Sequence, residues 1–220
     1  KIIYRVIKES ASAYLALKKQ DIDVTTNLGT LELLKLRERD YFNEAYDSEF
    51  KDRYGISYVG LNMKPDGITQ KPFFVDKKVR RAIAHLIPIE EIIDFVMFGH
   101  ASRQVANVSP LKKTYNDTLK LIELDIEKAK QLLDESGWID TDGDNIRDKI
   151  INGVKTPFKF KFSYMQSPIS TEIVLIMKES MYKAGIVADP EGMDFNLFYK
   201  NAANHKFDAM LAGWGSSAAY

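Results

Sequence analysis

The chain has 220 residues, 45% of them hydrophobic, with 31 basic and 31 acidic side chains and no cysteine. That length and apolar share suit a packed core and exclude wholesale disorder, and the balanced charge excludes the basic excess of a nucleic-acid binder. No stretch reaches the roughly 18 consecutive apolar residues of a membrane span, and neither disulfides nor thiolate metal sites can form.

The first residues, KIIYRVIKES, contain no initiator Met and no signal-peptide core, and read as a strand through Ile2, Ile3, Tyr4, Val6 and Ile7. Ser10 then caps a helix carrying Ala13, Tyr14 and Leu17, and Asp21 to Val24 returns as a short strand. A helix over Thr30 to Arg37 and a strand starting near Tyr41 follow. Ile56 to Met63 is an apolar strand ending in a Pro65-Asp66-Gly67 turn. Asp76 caps a helix with Val79, Ala82, Ile83 and Leu86 on one face. Pro88 starts another that Gly99 ends.

Ala101 to Leu124 lacks periodicity and reads as loop. Asp125 opens a helix through Ala129 and Leu133 that closes at Gly137. Asn152-Gly153 is a hairpin turn, and Phe158 to Tyr164 alternates as a half-buried strand does. A helix over Ser170 to Ala184, a short strand at Ile186 to Ala188, a helix at Asp194 to Ala203 and a strand at Phe207 to Ala212 complete the pattern. Strands alternating with helices imply an α/β layer. With no repeat or linker, the organisation reads as a single domain over residues 1–220, and both ends read as cut from a longer protein.

The stretch GWIDTDGDNIRDK places Asp140, Asp142, Asp144 and Asp148 in one loop. A calcium loop of the EF-hand kind needs oxygen ligands at positions 1, 3 and 5, Gly at 6 and Glu at 12. Counted from Asp140, Asn145 takes the glycine position and Ile151 the closing one, and the exit reads as a hairpin instead of a helix. The loop therefore reads as a structural turn, with a weak cation site as the alternative, and no metal or cofactor is assigned to it.

Catalysis has no recognisable carrier. His85, His100 and His205 share no metal-ligand spacing, and there is no nucleophile elbow or Gly-rich phosphate loop. Phe158, Phe160 and Phe162 read as core. Trp214 differs, because it follows a strand and sits between Gly213 and Gly215, where small residues let a ligand backbone approach.

Several stretches in order carry a resemblance: LKKQDIDV, YVGLNMKPDGITQKPFFVDKKVRRAIAHLI, EEIIDFVMFGHA, DIEKAKQLLDESGW, and GI followed by FDAMLAGW. Together they resemble the extracytoplasmic solute-binding proteins of oligopeptide and dipeptide ABC transporters, bacterial extracellular solute-binding protein family 5. Pro88 where the family often has Asp, and Gln20 where it often has Gly, are departures compatible with the fold. The resemblance implies a type II periplasmic-binding lobe, a mixed, mostly parallel sheet flanked by helices. It implies the C-terminal lobe of a two-lobe receptor whose first lobe lies elsewhere in the protein, working with an ABC permease outside the membrane and touching the membrane only through a lipid anchor or that permease. The ligand is a peptide or another small solute, such as a sugar, metal chelate or opine, and the family does no bond chemistry; rivals are an enzyme lobe and a sensory lobe. The implied ligand-binding residues are Gly213, Trp214, Gly215, Ser216 and Ser217, with Phe195 and Gln166. Family members that bind oligopeptides hold the peptide ammonium with an Asp three residues after this Trp. That position is Ser217 here, so no free N-terminus is expected to anchor there unless another acid, such as Asp208, takes the role.

Overall fold

The computed structural model describes residues 1–7, 9–26, 28–66 and 70–215. They fall into two compact units, Lys1–Asp52 with Ile93–Ser102, and Arg53–Ile92 with Arg103–Tyr220.

The first unit holds α1 (Ser10–Lys18), α2 (Thr30–Arg37) and α3 (Asp40–Ala45). Leu17, Leu36 and Phe42 form its core, with Tyr14, Leu33 and Tyr46 packed around them. The Tyr46 hydroxyl donates to the carbonyl of Ile22 at 2.8 Å, pinning the chain after α1. Four sequence expectations fail here. Residues 1–7 form no strand, and Ile2, Ile3, Tyr4 and Val6 stay 78–90% exposed; an extended run becomes a strand only beside a partner that satisfies its backbone. Residues 21–24 likewise form none. The stretch from Tyr41 is helical, α3 burying Phe42, whose ring stacks at 5.4 Å on Tyr46, the extended residue just past the helix end. Ser10 begins α1 without capping it; the cap position is Glu9, and the Ser10 hydroxyl has no partner among the described residues.

The second unit contains β1 (Gly55–Leu61), α4 (Lys77–Ala84), α5 (Ile89–Phe95, whose last residues fall in the first unit), α6 (Ile126–Glu135), β2 (Asp148–Ile151), β3 (Val154–Pro157), β4 (Lys159–Met165), α7 (Pro168–Tyr182), β5 (Val187–Met193), α8 (Phe195–Ala203) and β6 (Ala209–Gly215). Four strands make one sheet in the order β1-β6-β4-β5, while β2 and β3 form a separate hairpin. β4 runs parallel to β5 and β6, and β1 antiparallel to β6. The sheet is thus mixed and mostly parallel, with flanking helices.

Sequence signals and structure agree at most boundaries. The Asp76 carboxylate accepts from Lys78 N–H and the Asp125 carboxylate from Lys128 N–H, capping α4 and α6. Asn152 and Gly153 both take positive φ, 51° and 80°, as a tight hairpin turn requires. Phe158, Phe160 and Phe162 are buried with Phe73, Phe74 and Trp138; the rings of Phe73 and Phe158 stack at 5.2 Å. α7 starts earlier than its periodicity indicates, since Ser167 caps it and Pro168 occupies the first turn. β5 runs past Ala188 through Pro190, which an edge strand tolerates because the missing N–H faces away from the sheet.

Candidate ligand-binding site

The parallel strands β4, β5 and β6 end at Met165, Met193 and Gly215, so their carboxyl ends share one side of the sheet. The chain leaving β4 enters α7 on the phenylalanine face, where Thr171 lies 3.4 Å from the Tyr164 hydroxyl. The chain leaving β5 enters α8 on the other face, where Asn201 meets the Met193 sulfur at 3.7 Å. Neighbouring strands whose connections leave to opposite faces open a crevice at their carboxyl ends, the usual ligand position in such sheets. Gln166 and Phe195 stand at that crevice. Gln166 follows β4 directly and its N–H donates to the Met193 carbonyl at 2.9 Å. Phe195 begins α8, held by the Asp194 cap onto Asn196 and Leu197. Its ring stacks on Tyr199 at 6.1 Å, and both rings are more than 60% exposed.

Trp214 lies at the end of β6, within the strand and not after it. β6 pairs with β4 only from Ala209 to Leu211, whereas its pairing with β1 continues to Gly215. Among the described residues, the edge of Ala212–Gly215 that faces away from β1 therefore carries unpaired backbone groups. The indole is 65% exposed and opposes Ile56 of β1. The flanking glycines have different reasons. A Cβ at Gly213 would come 3.1 Å from the Ile56 carbonyl of its own partner strand, while one at Gly215 meets nothing within 4 Å. A side chain at Gly213 would thus crowd the sheet itself, while Gly215 leaves open space.

Beside the indole is a cleft of about 240 Å³, lined by Tyr54, Ile56 and Trp214 and by Asn107, Val108 and Lys112 of the loop between α5 and α6. Sequence reasoning passed over this loop because it lacks periodicity. It is nonetheless built: Lys112 N–H closes a turn onto Ser109 at 3.0 Å with Pro110 inside it, and Tyr115 N–H closes the next onto Lys112 at 3.0 Å. The pairing of Pro110 with the Ser109 hydroxyl two residues before Leu111 was the readable turn signal.

Ser216 and Ser217 lie outside the described residues. Asp208 immediately precedes β6, at the end opposite Trp214, roughly 20 Å away along the strand. It cannot replace a carboxylate near the indole. Its carboxylate accepts from Lys161 N–H at 3.0 Å, its other oxygen lacks a partner among the described residues, and burial pushes its pKa up.

The acidic loop is satisfied by its own chain. Asp140 accepts from the N–H groups of Gly143 and Asn145 at 2.8 and 2.9 Å, and Asp144 from Ile146 at 2.8 Å. Asp148, buried, accepts from the Thr141 hydroxyl at 2.8 Å. The Lys155 ammonium reaches Asp142 at 2.6 Å and Asp148 at 3.3 Å. Of the carboxylates of Asp140, Asp142 and Asp148, near enough together to share an ion, the last two thus have a cation from the chain itself and the first has backbone N–H groups. Of the histidines, His85 ends α4 and pairs with the Glu123 carbonyl at 2.8 Å, and His100 stacks on Phe50 at 3.7 Å.

Residues 1–219 match the model of the bacterial extracellular solute-binding proteins, family 5 Middle. The chain is 29% identical to the oligopeptide-binding protein AppA of Bacillus subtilis over 222 residues, covering 98% of this chain and 38% of that protein. The structure of AppA in complex with a nonapeptide superposes with a TM-score of 0.76 at 28% identity, over 98% of this chain and 41% of that one. The nickel-binding periplasmic protein of Escherichia coli is 26% identical over 220 residues, 98% of this chain and 40% of that protein. The chain therefore spans about two fifths of the length of these relatives. With the sheet order, the crevice at the strand ends and the match over nearly every residue, the chain belongs to the bacterial extracellular solute-binding proteins of family 5.

Proposed function

We propose that this chain forms one lobe, the C-terminal one, of a two-lobe receptor that captures peptides outside the cytoplasmic membrane and hands them to an ABC permease. The observation that carries this reading is the open edge of Ala212–Gly215 beside an exposed indole at the carboxyl ends of the strands. An extended peptide pairs with such an edge through main-chain hydrogen bonds, which are indifferent to sequence, and sets its side chains into flanking pockets. Gln166 and Phe195 extend the same wall across the crevice, and Ser216 and Ser217 continue the chain from its end. The likeness to AppA, solved with a nonapeptide, supports the ligand class.

Binding and closure of the two lobes are the whole mechanism, with no bond made or broken. One lobe supplies one wall, so this chain alone binds much more weakly than the complete receptor, which buries most of its ligand. The receptor stands in the periplasm or on the outer face of the membrane, held by a lipid anchor or by the permease. A free peptide N-terminus is not held at Ser217, because a hydroxyl brings no charge to an ammonium. A second reading, a metal chelate as ligand, is favoured by the nickel-binding relative.

The test compares one peptide with versions methylated on single backbone nitrogens, by calorimetry on the full-length receptor. Each amide that pairs with the edge loses about two- to tenfold in affinity when methylated, alternating along the peptide. Failure to bind any peptide, or binding indifferent to methylation at every position, refutes the reading.

A further inference from the structure

Resting on the Trp214 cleft as the ligand site, we propose that Lys112 makes that cleft selective for a carboxylate of the ligand, held beside the indole. Lys112 is presented by consecutive turns. Its N–H is bound to Ser109 and its carbonyl to Tyr115, each at 3.0 Å, and Ser109 is itself buried. The backbone that carries the ammonium is therefore fixed on both sides, while the four-carbon stem stays free to follow a ligand group.

The charge around it is one-sided. Among the described residues no carboxylate lines the cleft, and the Lys112 ammonium takes part in no ion pair. Two other half-buried lysines of this unit hold acceptors: Lys149 donates to the Ser136 carbonyl at 2.7 Å, and Lys130 pairs with Glu127 at 2.9 Å. A half-buried lysine lining a cleft that carries no carboxylate favours an anion there over a neutral group. The remaining walls are apolar or uncharged: Ile56 and the Trp214 indole on the strands, Val108 and Asn107 on the loop. A group matching both features has a short apolar body ending in a carboxylate. The C-terminus of a peptide and an acidic side chain both offer that chemistry.

The experiment uses the full-length receptor and calorimetry at low and high salt. One peptide is compared as free acid and C-terminal amide, and, separately, with Glu or Gln at each side-chain position. Neutralising the group that reaches Lys112 weakens wild-type binding about tenfold or more at low salt. Lys112→Gln abolishes that discrimination, and Lys113→Gln, which removes the same charge from the exposed neighbour, keeps it. Sensitivity to amidation alone assigns the C-terminal carboxylate, and sensitivity to Glu-to-Gln exchange alone assigns a side chain.

A second readout needs no ligand. Trp138 is 2% exposed, so the component of fluorescence lost in Trp214→Phe reports the cleft. Iodide quenching of that component falls about twofold or more in Lys112→Gln, while quenching by neutral acrylamide is unchanged. Peptides that bind but ignore both neutralisations, or discrimination that survives Lys112→Gln, overturn the proposal. Iodide quenching indifferent to Lys112 overturns the placement of the ammonium. Loss of all peptide binding with iodide quenching still dependent on Lys112 overturns the peptide reading alone.

Discussion

Replacing Trp214 with Ala tests the site most directly, because the side chain is far more exposed than the fold requires. A Trp can bury up to about 250 Å², so an indole that is 65% exposed has roughly 160 Å² still open. A ligand lying along the edge of β6 covers about half of that, some 80 Å². At about 25 cal/mol per Å² this is worth about 2 kcal/mol, or roughly thirtyfold in Kd. Trp214→Phe keeps most of a ring and loses only about threefold. Fold stability moves by less than about 1 kcal/mol, because the pairing with Ile56 is through the backbone and survives. The assay is calorimetric titration of the full-length receptor with a peptide it binds, beside urea denaturation of each variant. Affinity within twofold of wild type in Trp214→Ala refutes the site. A drop of several kcal/mol in stability instead assigns the indole to packing.

Other predictions follow from the core and the loops of the second unit. Arg147 donates to the Ala184 carbonyl at 2.8 Å and the Trp138 carbonyl at 2.5 Å and also pairs with Asp134, so Arg147→Met lowers stability by about 2–4 kcal/mol in urea denaturation; a loss under about 1 kcal/mol contradicts this. Phe158→Ala, at a fully buried ring touching Phe73 and Trp138, costs about 3–5 kcal/mol. Burial raises the Asp208 pKa, so the folded state binds its proton more tightly and this group destabilises increasingly as pH rises above its ordinary 3.8. Asp208→Asn is therefore more stabilising at pH 7 than at pH 4, measured by denaturation at both; the opposite order refutes it.

Much of the fold was legible because caps, turns and periodicity are local. Asp76, Asp125 and Asp194 each cap the helix that their position predicts, and α2 spans the residues its periodicity gives. What failed depends on partners distant in sequence. Residues 1–7 have strand composition and form none, and Pro190 sits inside a strand because β5 is at an edge. Of the site, Trp214 stood out through its glycines, yet what crowds a side chain at Gly213 is the Ile56 carbonyl, set by a pairing more than 150 residues apart in the chain. Gln166 and Phe195 come together only through strand order. Lys112 was invisible, since a lysine in an aperiodic loop carries no signal until the fold brings it to the same cleft as Trp214.

The acidic loop shows the same limit from the other side, and it yields the last prediction. An alternating Asp pattern counts oxygen ligands but does not say which cation they meet. Here the Asn152-Gly153 turn fixes the β2–β3 register, placing Lys155 opposite Ile150 and one diagonal step from the Asp148–Pro157 pair. That register delivers the ammonium to Asp142 and Asp148. The hydrogen bond from Lys155 holds the Asp142 carboxyl below its usual range. Burial opposes ionisation of Asp148, but Thr141 and Lys155 outweigh it and its pKa is also lowered. Both groups thus stabilise the fold above their ordinary value of 3.8, and that contribution is lost as pH falls below it. A divalent ion would have to displace the ammonium and strip the N–H groups of Gly143 and Asn145 from Asp140. Millimolar calcium at pH 7 therefore leaves the Tm of the protein unchanged within about one degree. A rise of several degrees, which ligand linkage demands of any ion bound well below its free concentration, would show that the carboxylates prefer calcium to Lys155.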